Sequence, residues 1–235
     1  MRQRSIIFTA VLVVFAWATG TAGVQAGAVT IAGSFGSFNV EAKSLREMRW
    51  DNVIRQQYDF SCGSAAVATL LTYHYGRETG EAEVFKTMIR EGNRNKIQAQ
   101  GFSMLDMKRY LDYRGLDADG FKLALDDFVK IGMPAITLIN TNGYKHFVVI
   151  KGTDDDEVLV GDPAAGTVVL PKSRFRTMWS GVVLGAREDV ELARQNFNNE
   201  KDWRVRPNSP LKQGISRAGV GSMLLTLPGA NELAK

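Results

Sequence analysis

Thiols and imidazoles are scarce in this chain: its 235 residues hold one cysteine and two histidines. A single cysteine excludes an internal disulfide. With two histidines far apart in the chain, it also falls short of a zinc-ligand set, so no metal or other cofactor is expected. No Gly-x-x-x-x-Gly-Lys-Ser/Thr pattern occurs anywhere, which removes the phosphate-cradling loop of an ATP-using protein. There is no internal repeat or low-complexity tract. The one extended apolar run, Ile6–Ala18, is too short for a stop-transfer span. Charge of one sign is lacking too. The formal net charge is +4, and removing Arg2 and Arg4 with the first 26 residues leaves +2. No basic stripe points to a nucleic-acid partner.

What is present at the start reads as an export signal. Arg2 and Arg4 precede the apolar run, and Val24-Gln25-Ala26 supplies small residues for cleavage near Ala26. Export to an oxidising compartment is therefore expected, where an unpaired thiol is a liability unless its chemistry is used. The remaining sequence divides into an extension over 27–49, one domain over 50–187, and a C-terminal extension over 188–235. That last part holds a helical piece at Val190–Phe197 and a Gly/Leu/Pro-rich tail.

Cys62 sits where a loop becomes a helix. Asp59 and Ser61 are N-capping types ahead of it, Ala65 to Leu71 is an Ala-rich apolar run, and Gly76 is a stop signal. A thiol in a helix's first turn faces unsatisfied N–H groups and the positive dipole end, which favour thiolate. The competing reading is a small buried hydrophobe. Further helices are expected at Glu81–Arg90, at Ser103–Tyr113 with a Ser103/Asp106 capping box, and at Asp126–Ile131 ahead of Gly132 and Pro134. Asn93–Gln100 reads as a polar loop. Strands follow at Ala135–Asn140, Tyr144–Lys151, Glu157–Asp162, Thr167–Leu170 and Gly181–Gly185, with a short helix at Ser173–Trp179. Helices first and an antiparallel meander second predicts an α+β fold, with the Cys62 helix packed against one sheet.

A thiolate nucleophile needs a base. His74 lies on the Cys62 helix about 18 Å along its axis, which leaves His146. A turn centred on Asp154 pairs His146 directly with Asp162, a carboxylate able to orient the ring. An oxyanion needs two donors. The Cys62 backbone N–H is one, and Gln56 and Gln57 both qualify chemically as the other. The acidic run Asp154–Glu157 reads as a solvated hairpin tip rather than a calcium loop.

Gln56, the block Asp59-Phe60-Ser61-Cys62-Gly63-Ser64-Ala65-Ala66, then His146-Phe147-Val148-Val149 and Gly161-Asp162-Pro163, resemble the signature of the bacteriocin-processing cysteine peptidases. These are papain-like domains that cut leader peptides after a double glycine. The resemblance spans about residues 50–187. It implies Cys62 as nucleophile, His146 as base and acid, Asp162 as orienting carboxylate and Gln56 as oxyanion donor. Without an ATP-binding motif but with an export signal, the chain most resembles the stand-alone periplasmic members of functional-amyloid (Fap-type) secretion systems. That implies a polypeptide partner, an amyloid subunit or secretion component, alongside outer-membrane export machinery. The alternatives are a catalytically silent module that grips a leader or amyloid segment, and acyl transfer to an acceptor other than water.

Overall fold

The computed structural model describes residues 28–33, 36–41 and 43–206. The expected signal over 1–26 and the tail from 207 onward lie outside the described residues. The chain divides into two units, Met1–Ala42 and Lys43–Lys235. In the first, β1 (Ala28–Gly33) pairs antiparallel with β2 (Gly36–Glu41), so the β-leaning extension is a hairpin.

The second unit opens with α1 (Leu45–Met48), where Ser44 and Glu47 form a capping box. This charged approach to the Cys62 loop is a helical turn: the Ser44 hydroxyl accepts from Glu47 N–H and the Glu47 carboxylate from Ser44 N–H. Next comes α2 (Cys62–His74). Its residues Gly63–Leu71 are all buried, as suits a helix apolar on every side. Gly63 shows how close the packing is, since a Cβ there would lie 3.0 Å from Phe102 Cβ. α3 (Glu81–Glu91), α4 (Arg94–Gln100) and α5 (Met104–Tyr113) follow. α4 replaces the expected polar loop. Asn93 caps it by accepting from Lys96 N–H, and Ile97 anchors it in the core. The Ser103/Asp106 capping box of α5 is present as expected.

The remaining elements are β3 (Ala118–Lys122), α6 (Leu125–Ile131), β4 (Ala135–Thr141), β5 (Tyr144–Thr153), β6 (Glu157–Asp162), β7 (Gly166–Pro171), α7 (Lys172–Met178) and β8 (Trp179–Ala186). The strands form one sheet in the order β3-β8-β4-β5-β6-β7, with every neighbour antiparallel. β3 is not evident in the sequence, because Asp-Gly-Phe-Lys carries no apolar alternation; its pairing with β8 makes the strand. Helices cover both faces of this one sheet. α2, α3 and α5 pack on Phe147, Val149, Ile136 and Leu184. Leu125, Phe128 and Phe175 of α6 and α7 pack on Val148, Ile150, Val158 and Val160. Strands buried on both faces read as continuous apolar runs, as β5 and β6 do. Beyond β8 lie α8 (Val190–Gln195) and α9 (Glu200–Trp203).

Candidate active site

Cys62 is the first residue of α2, and its side chain is half-buried. The residue before it is not the side-chain cap that the sequence suggests: Ser61 makes no capping bond. Instead its fully buried hydroxyl accepts from Tyr58 N–H and donates to Tyr58 O, closing the 58–61 turn on itself. The loop leading to Cys62 is therefore held by its own hydrogen bonds. The thiol is approached by the backbone N–H groups of Phe147 and Gly63. These favour thiolate, but burial pushes the thiol up from its usual value and wins, and the Asp162 charge adds to it. The helix start favours thiolate as expected, but desolvation outweighs those N–H groups.

His146 and Asp162 meet. His146 Nε2 lies 2.9 Å from Asp162 Oδ2, with both side chains largely buried. The route differs from the expected direct pairing. Near the Asp154 turn, Thr153 faces Val158 and Gly152 faces Leu159. A bulge between Ile150 and Gly152 then shifts the register, so that Val149 faces Gly161. Continuing that register sets Asp162 across from Val148, two positions along β5 on the same face as His146. The two side chains meet on the diagonal. Asp162 Oδ1 accepts from Ala164 N–H at 2.8 Å and Ala165 N–H at 3.3 Å. Burial raises the Asp162 carboxyl, but the His146 bond and the Ala164 N–H outweigh it and hold it below the usual carboxylate value. The other ring nitrogen, His146 Nδ1, is buried and has no hydrogen-bond partner among the described residues.

Gln56 and Gln57 are distinguished by their anchors. Gln56 N–H donates to Pro163 O at 3.0 Å, tying this residue to the turn that follows Asp162. Its side-chain Nε2 donates to Tyr58 O at 3.1 Å. Gln57 is exposed, and its backbone N–H points to Glu81 Oε1. Gly166, on the far side of the same turn, has φ +80°, and a Cβ there would lie 2.7 Å from Arg49 O. Only glycine permits that close approach, which sets the turn against the α1 segment.

A cleft of about 400 Å³ opens beside the sulfur, lined by Asp59, Phe60, Phe102, Leu138, Tyr144 and Phe147 among others. Tyr144 was not singled out by the sequence. Its ring lies 5.3 Å from the His146 ring, and its hydroxyl reaches Asp59 O at 3.5 Å. A tyrosine two residues ahead of the histidine on one strand face was the available signal. The other histidine, His74, is buried at the end of α2, 3.1 Å from Asn196 O. Burial, with Lys151 nearby, lowers it to about 3. At the hairpin tip, Asp154 and Glu157 hold Arg206.

Residues 50–191 match the model of the peptidase C39 family. Two similar relatives carry the name "Probable functional amyloid protease FapD". The one from Pseudomonas fluorescens is 41% identical over 61% of this chain and 63% of its own length. The one from Pseudomonas aeruginosa is 40% identical over the same shares. The chain thus spans less than two thirds of the length of these curated relatives. Among solved structures, the peptidase domain of Streptococcus ComA, a bi-functional ABC transporter, matches with a TM-score of 0.50 at 20% identity. That match covers 57% of this chain and 96% of the other, a likeness of fold.

Proposed function

The chain belongs to the peptidase C39 family, and from that premise we propose that it is a periplasmic cysteine endopeptidase acting on a secreted polypeptide in functional-amyloid biogenesis. One observation carries the reading. A buried His146–Asp162 pair leaves Nδ1 open, and Cys62 sits at a helix start beside the next residue of the same strand. With Nε2–H donated to Asp162, Nδ1 is the basic nitrogen and takes the thiol proton. The sulfur then attacks the scissile carbonyl, and the amine leaves with that proton. Water hydrolyses the thioester, again with His146 as base. The developing oxyanion is held by the Cys62 backbone N–H and the second N–H of the Gln56 amide. Burial pushes the thiol up, so His146 takes its proton as the sulfur attacks. The compartment follows from the signal-like start of the sequence, and the amyloid role from the named relatives.

The test is mass spectrometry of periplasmic and extracellular amyloid components from cells carrying the natural chain or Cys62→Ala. A shortened polypeptide present only with the natural chain is the expected result. Identical termini in both, with export intact, would remove the peptidase reading. Identical termini with export lost only in cleft variants would favour the binding module.

A further inference from the structure

The family match ends at residue 191, yet the polypeptide beyond it makes buried polar contacts with the end of α2 and with β5. Asn196 O meets His74 Nδ1 at the end of α2. Asn198 N–H donates to Lys151 O at 2.9 Å, and Asn198 Oδ1 accepts from Thr153 N–H at 2.6 Å. Asp202, itself buried, places Oδ2 2.9 Å from the Nζ of Lys151, a lysine with no exposed side-chain surface. A lysine buried in this way needs its counter-ion and its remaining donors satisfied. The rest of this pair's hydrogen bonding goes mainly to one residue. Lys151 Nζ donates to Asn52 O at 3.0 Å, and Asn52 Nδ2 donates to Asp202 Oδ1 at 2.6 Å.

Asn52 begins the segment that delivers Gln56 and then Cys62. Two further bonds continue from it: Ile54 N–H to Thr69 Oγ1 on α2 at 3.0 Å, and Gln56 N–H to Pro163 O. The segment is thus pinned at alternate residues, and its first pin is the ion pair. We propose that Asp202 is a positioning residue for the reaction, acting with Lys151 through Asn52 to set the loop that presents Gln56. The inference rests on the proposed peptidase reading and deepens it. It gives the C-terminal segment a task in oxyanion binding, at a distance from the sulfur.

The full-length chain tests this with two probes that differ in one respect. Acylation of Cys62 by p-nitrophenyl acetate passes through a tetrahedral oxyanion. The S–C bond forms, p-nitrophenolate leaves, and the thiol proton goes to His146. Alkylation by iodoacetamide displaces iodide without any oxyanion. Replacing the pair by apolar residues, Lys151→Met with Asp202→Leu, keeps the interior filled while releasing Asn52. The expected result is acylation slowed about tenfold with alkylation within about twofold. In a Gln56→Ala background the same pair change should add almost nothing, because both act at one donor. If the pair variant does not fold, Asn52→Ala removes the Asn52 Nδ2–Asp202 bond, with the ion pair and the bond from Lys151 Nζ to the Asn52 carbonyl left in place. Equal slowing of both probes, no slowing, or full additivity with Gln56→Ala would overturn the proposal. Loss of the peptidase reading is separately visible: a Cys62→Ala protein acylated as fast as the natural one would sink that reading.

Discussion

At the scale of single residues, solvation decides which of two like groups does chemistry. His74 and His146 are both buried with one ring nitrogen unpartnered among the described residues, but only His146 has a carboxylate on the other. His74 meets a backbone carbonyl and lies near Lys151, so it remains neutral. Its lowered pKa makes stability pH-dependent. The unfolded histidine takes up a proton near pH 6.5, the folded one only near 3. Stability is therefore complete above about 6.5 and falls as pH drops through that window, by at most about 1.4 kcal/mol per pH unit. His74→Gln retains a donor for Asn196 O and should flatten this slope in urea titrations at pH 6.5 and 4.5. Cys62 provides the complementary case. With His146→Ala, the thiol has only backbone N–H groups to offset burial, so its alkylation midpoint should lie above the ordinary 9.0. Iodoacetamide labelling rates from pH 7 to 10.5 measure it. The natural chain should label at neutral pH, because His146 takes the proton. Cys62 and His146 stand out in the sequence because cysteine and histidine are scarce, whereas Asp162 is one of many aspartates and is reached only through the pairing of its strand. The sign of the thiol's shift was not legible there, because it depends on how deeply Phe147 and its neighbours bury the sulfur.

At the scale of elements, α2 and the β5–β6 pair have different tasks. α2 is a buried post whose N-terminus holds the sulfur and whose sides fill the core. Leu71 is fully buried in the core cluster that α2 shares with α3 and the sheet. Leu71→Ala should cost about 2–5 kcal/mol, read as a lower urea midpoint, with labelling of Cys62 preserved below the transition. The β5–β6 pair does the aiming. The turn is centred between Asp155 and Asp156 instead of on Asp154, and the bulge around Lys151 then moves the register by one, which puts the carboxylate on the face of the imidazole, diagonally. Strand identities were legible from their apolar runs and turns, whereas the bulge was not. Alternation in sequence fixes which face a residue takes only while pairing is regular, and the shift is made where Lys151 turns inward to Asp202. α4 was missed for a related reason. Its single buried residue, Ile97, gives no periodic stripe, and the element is defined by the Asn93 cap.

At the scale of the whole molecule, the described residues after β8, up to 206, pack into the domain. A chain ending at Arg187 would leave Lys151 buried without Asp202. Breaking a buried pair in this way costs about 3–5 kcal/mol, a large share of an ordinary domain's stability. Such a chain should lose its cooperative thermal transition by circular dichroism, and Lys151→Met should restore part of it. Scarcity by itself determined much about this protein. One thiol, one histidine clear of the thiol's own helix, and a run of helices followed by strands fix the chemical class and the α+β architecture, because they are properties of residue type and local pattern. Only the tertiary structure decided that helices cover both faces of the sheet and that Gln56, not Gln57, is tied to the Asp162 turn. It alone showed that a carboxylate at 202 neutralises a lysine at 151. Those outcomes depend on which distant groups share a volume without water, and no local pattern in the chain encodes that.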